Sequence, residues 1–212
     1  MKRLLASLLA VLGVGCTDRP HEYTVKSLAD YPSPDVPPLD VLLDDLDNGT
    51  LEERRNAAYG LGKHDDTNIA PRLISLLFDS DLYVRVYAIQ SLRDLKDARA
   101  TLPLCELLDE PQPEELILSN VTRALAAIGD ARAVPTLIKT LDSTDPFTRT
   151  NAAYALGEIG DPSAIPALQL LEHDAVVPMR YHDDGGVSGA PAVNANAMKA
   201  IAKIRGEIPK IE

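Results

Sequence analysis

"RRNAAYGLG", residues 54–62, returns 95 residues later as "RTNAAYALG", residues 149–157. A self-similar stretch at that distance in a chain of 212 residues marks a repeat architecture, and weaker copies fill the interval. Asp66, Asp97, Asp130 and Asp161 head equivalent segments, at spacings of 31, 33 and 31 residues. They introduce "TNIAPRLISLL", "ARATLPLCELL", "ARAVPTLIKTL" and "PSAIPALQLL". In each copy an acidic turn and a second apolar-periodic segment follow.

The second segment has the period of an amphipathic helix. Val84, Ala88, Leu92 and Leu95 fall on one face in one copy, and Ile117, Val121, Leu125 and Ile128 in another. Local chemistry sets the ends. Asp145 can accept an orphan N–H of a helix that Pro146 begins, since proline is tolerated in the first turn. "IGD" at 128–130 and 159–161 stops helices at a Gly able to turn left-handed. Pro71, Pro135 and Pro166 stand near the starts of first helices, where they cost little. Five helix pairs fit between Pro37 and Glu207.

Composition agrees. The chain has no Trp and two Phe, and is 45% hydrophobic, chiefly through Leu, Ala and Ile; such side chains suit close helix packing. Its formal charge of −11 gives little counterion release on a polyphosphate, so no nucleic-acid partner is expected.

"VRVYAIQSL", "SNVTRALAAIGD" and "TRTNAAYALGEIGD" resemble HEAT repeats, in particular the short HEAT-like repeats named after phycobilisome lyases. The resemblance covers about four fifths of the chain. It implies an all-α, right-handed α-solenoid of about five HEAT-like helix pairs spanning residues 37–207, with a short tail at 208–212.

"MKRLLASLLAVLGVGC" opens with two cations and an apolar run of 11 residues, too short to span a bilayer and patterned as an export signal. Leu12-Gly13-Val14-Gly15-Cys16 resembles a bacterial lipobox, with Gly13 where that family usually has Leu. The resemblance implies a signal peptide over 1–15, lipid on Cys16, and a bacterial cell-envelope location, lipid-anchored in the outer membrane facing the periplasm. The alternative is an ordinary secretory signal with an incidental Cys. Residues 16–36 then form a Pro-rich tether. Cys105, between Leu104 and Leu107, reads as a small buried hydrophobe.

In HEAT-like solenoids the second helices line the concave side. There the register sets out two columns: Asn56, Tyr87, Asn120, Asn151 and Asn196, then Tyr59, Gln90, Arg123, Tyr154 and Lys199. Amides and tyrosines on rigid helices suit the binding of another protein or peptide; alternatively the Asn side chains only link neighbouring helices. Arg54, Arg85 and Arg149 share one position and are expected to pair with turn carboxylates such as Asp81 and Asp145.

No catalytic constellation is expected. Gly-rich phosphate loops are missing, since "DDGGVSG" follows no expected strand and lacks a Lys. HEAT-like hydroxylases that bind two irons carry paired His-Glu motifs, whereas here the one His-Glu is His21-Glu22 in the tether. His64 occupies an inward position and reads as half-buried packing. The last repeat carries about 15 extra residues, within 174–193, including Arg180, Tyr181, His182, Asp183 and Asp184. Their spacing fits neither a calcium loop nor a zinc pair, so the insertion reads as a recognition or capping loop. The expectation is a scaffold or adaptor that binds another protein without catalysis, a cofactor or a metal. The alternative is a phycobilin-lyase-like enzyme or small-molecule-binding HEAT-like protein.

Overall fold

The computed structural model describes residues 36–207, apart from 65, 111–113, 178, 182–186 and 190–191. The signal-like segment, Cys16, the tether and the tail lie outside the described residues, as do His182, Asp183 and Asp184.

Among the described residues ten α-helices form five pairs: α1 (Leu39–Asn48) with α2 (Leu51–Leu61), α3 (Ala70–Ser75) with α4 (Leu82–Leu95), α5 (Thr101–Leu108) with α6 (Glu115–Ile128), α7 (Val134–Thr140) with α8 (Pro146–Ile159), and α9 (Ile165–Gln169) with α10 (Val193–Ile204). Each second helix packs on the next one along, α2 on α4, α4 on α6, α6 on α8 and α8 on α10. The first helices touch one another far less. The second helices thus form one continuous, closely packed layer, called the inner face below.

The repeated Asp residues do one job four times. Asp66, Asp97, Asp130 and Asp161 each accept the N–H two residues on and open a single 3-10 turn that runs into the first helix. Asp145 caps α8 through the N–H groups of Phe147 and Thr148, and Asp81 caps α4 in the same way. Pro71, Pro135 and Pro166 sit in the first turns of α3, α7 and α9. Gly129 and Gly160 end α6 and α8 with φ of 72° and 80°, a conformation in which a Cβ is strained.

The core is one continuous run of small aliphatics. Val84, Ala88 and Leu92 of α4 and Ile117, Val121 and Leu125 of α6 are buried, while Leu95 and Ile128 are half-buried against them. Cys105 is buried among them, and burial pushes its thiol pKa above the ordinary value. At Gly157 the inner layer tightens: an added Cβ would lie 2.8 Å from the Cα of Ala200 on α10.

The inter-repeat arginine ladder is present, with different partners from those expected. Arg54 pairs with Asp79 and Arg149 with Asp174, each across 25 residues. Arg85 reaches Glu114 and the carbonyl of Asp79. Asp81 is held by Arg55, and Asp145 by its own helix. Because each arginine sits one turn inside its helix, it reaches the following turn rather than the capping Asp beside it.

The extra residues of the last repeat form a β-hairpin, where the sequence suggested a loop that follows no strand. β1 (Met179–Tyr181) pairs antiparallel with β2 (Val187–Gly189), with Arg180 opposite Ser188. The stretch "DDGG" therefore follows a short strand. Its neck is fastened: Val193 N–H donates to the Val176 carbonyl and Asn194 N–H to that of Asp174.

Candidate functional site on the inner face

The inner layer has two hollows that share Tyr154 and Glu158. One, of about 330 Å³, is lined by Arg93, Arg123, Ala126, Ala127, Tyr154 and Glu158. The other, of about 300 Å³, adds Gly157, Asn196, Lys199, Ala200 and Lys203. Small residues make the floor because α6, α8 and α10 approach closely there, and long side chains make the rim. Tyr154 is 49% exposed between the two hollows.

The two predicted columns separate into contact and structural positions. Arg123, Tyr154, Asn196 and Lys199 line the hollows. Asn120 is buried, donates to the Leu116 carbonyl at 2.8 Å and accepts from Gln90 Nε2 at 3.2 Å. Those two amides therefore link α4 to α6, the structural alternative for this column. Asn151 is half-buried on α8. Asn56 is engaged by a partner.

Tyr59 and Tyr87 belong to a second group, at the other end of the inner face. Their rings meet edge-on at 5.8 Å, Tyr83 lies 6.5 Å from Tyr87, Arg55 stands over Tyr83 and Lys63 over Tyr59. Tyr83 and Arg55 had no place in the columns, yet Arg55 begins the α2 turn that also holds Asn56. His64 is half-buried, and its Nε2 donates to the Pro37 carbonyl at 3.0 Å, fixing the chain ahead of α1.

Two clusters of ion pairs border the hollows. Asp94 takes Arg93 and Lys63, and these contacts hold its carboxyl below the ordinary value despite burial acting the other way. Glu158 takes Lys203 at 2.6 Å. The predicted hairpin residues Arg180 and Tyr181 stand in β1. Among the described residues no three His, Cys, Asp or Glu gather as a metal site.

Comparison with known proteins identifies the architecture. The HEAT repeats profile matches residues 36–119 and 113–181. The chain belongs to the HEAT-repeat family. This HEAT-repeat protein is 36% identical over 121 residues to phycocyanobilin lyase subunit alpha of Nostoc sp., covering 57% of this chain and 36% of that one. It is 32% identical over 98 residues to human deoxyhypusine hydroxylase, covering 45% and 32%. The aligned stretches span about a third of those relatives' length. The crystal structure of an engineered protein superposes with a TM-score of 0.56 at 24% identity, covering 79% of each chain, which speaks to the fold alone.

These relatives correct one expectation. The sequence reads as a chain without catalysis, because it offers no triad, phosphate loop or ligand pair. The curated relatives that it matches are nonetheless a lyase subunit and a hydroxylase, which points to enzymatic activity.

Proposed function

We propose that this HEAT-repeat protein acts as a lyase-type subunit, holding a small chromophore-like molecule on its inner face and handling its bond to a protein acceptor. The observation that carries the reading is the 36% identity to a phycocyanobilin lyase subunit over 121 residues. The hollows support it: an apolar floor with a charged rim suits a small organic molecule, and the open layer around it leaves room for a protein. The volumes, about 330 and 300 Å³, are in the range of small-ligand sites. The hydroxylase likeness has less support, since the described residues bring no set of metal ligands together.

We further propose that Cys16 carries lipid and that the repeat domain works at the bacterial cell envelope. The support is the sequence of residues 1–16. An exported lyase-type subunit would meet its chromophore and its acceptor protein outside the cytoplasm.

The test is chromophore attachment. Residues 17–212 are mixed with phycocyanobilin and an apo-biliprotein, and covalent adduct is followed on denaturing gels by zinc-enhanced fluorescence. Attachment faster than the spontaneous reaction is expected. An unchanged rate would overturn the lyase reading.

A further inference from the structure

We infer that Arg123, Tyr154 and Lys199 form a binding site for an elongated organic dianion with a flat unsaturated body. The inference deepens the reading above and rests on it only in placing the ligand on the inner face. Its test reads binding, so a failed attachment assay and a failed binding assay are separate results.

Charge pairing carries the argument. Nearly every described cation has a carboxylate: Arg54, Arg55, Lys63, Arg72, Arg85, Arg93, Arg99, Arg132, Lys139, Arg149, Lys203 and Arg205 all do. Among the described residues whose side chains are placed, Lys96, Arg123 and Lys199 have none. Lys96 ends α4 in the left-handed conformation, away from the hollows. The other two flank Tyr154, in the hollows already described.

In a chain of net charge −11, carboxylates are abundant, so two cations left without one on the same face form a local exception. The hollow lining holds four cations, Arg93, Arg123, Lys199 and Lys203, against Glu158 alone. Lys203 neutralises Glu158, and Asp94 neutralises Arg93. Arg123 and Lys199 remain, and both are exposed at the rim.

Geometry then shapes the ligand. Arg123, Tyr154 and Lys199 stand on α6, α8 and α10, three successive inner helices. Packed helix axes lie about 8–10 Å apart, so the two cations are separated by two such steps. A ligand that meets both is elongated and carries its anionic groups near opposite ends. Between them the exposed Tyr154 ring offers a face for a planar body, over a floor of Ala126, Ala127, Gly157 and Ala200 too small to obstruct it.

Titration calorimetry with para,para′-stilbenedicarboxylate and with the matching neutral diamide tests the site, using residues 17–212. The dicarboxylate is expected to bind at least tenfold more tightly than the diamide, with affinity falling as salt rises. Arg123→Gln and Lys199→Gln should each weaken it about tenfold, as loss of a charged hydrogen bond does. Tyr154→Ala should weaken both ligands about fivefold, and Lys96→Gln should change neither. Far-UV circular dichroism confirms folding, which exposed side chains should not disturb. Equal affinity for diamide and dicarboxylate, wild-type affinity in both charge variants, or no binding would overturn the site.

Discussion

At the scale of single residues, the Asp that heads each repeat shows how much one carboxylate sets. Asp130 accepts from the Arg132 side chain, from the Arg132 N–H and from Thr101, and its carboxyl falls from 3.8 to about 2. A carboxylate more acidic in the folded chain than in the unfolded one stabilises above the unfolded value, and that contribution is lost as pH falls through the folded value. Carbon-detected titration should therefore place Asp130 near 2, and Arg132→Ala should return it towards 3.8. A value that stays low in the variant would shift the cause to the backbone N–H. Gly157 is a steric case. Its Cβ would meet the Ala200 backbone at 2.8 Å, so Gly157→Ala should cost about 1–3 kcal/mol in urea unfolding. An unchanged midpoint would show that α8 and α10 part easily.

Elements were legible where their ends are written in local chemistry. The repeated Asp, the prolines of the first turns and the "IGD" stops determine backbone geometry within a few residues, and each stands where the periodicity put it. The arginine partners were less legible, since Arg54–Asp79 and Arg149–Asp174 depend on how neighbouring turns are set against each other. The last insertion was legible as extra length, but not as a hairpin. Strand pairing there depends on the register of one strand against the other, and three-residue strands have too few positions for alternation to show. Because the neck is closed by Asp174, Val176, Val193 and Asn194, the hairpin should be dispensable to the helices. Deleting residues 178–191 should leave the helical circular dichroism signal almost unchanged; a cooperative loss of it would show that the hairpin belongs to the core.

At the scale of the whole molecule, the periodic register made the inner face visible but not its chemistry. Gln90 sits in the same column as Arg123 and Tyr154, and Asn120 in the column beside it, yet Gln90 and Asn120 link helices while Arg123 and Tyr154 line a hollow. Which is which depends on the distance between second helices, a tertiary quantity. The N-terminal proposal is tested separately: Cys16→Ala should move the protein from the membrane to the soluble fraction, and continued membrane retention would defeat the lipid anchor. The central claim is that the inner face is where this HEAT-repeat protein works. Its most direct test is the rate of chromophore attachment in the Arg123→Gln/Lys199→Gln double variant, compared with Leu102→Gln on the exposed side of α5. The account predicts a rate at least tenfold lower in the double variant and a wild-type rate in the control. Equal rates in wild type, double variant and control would contradict it.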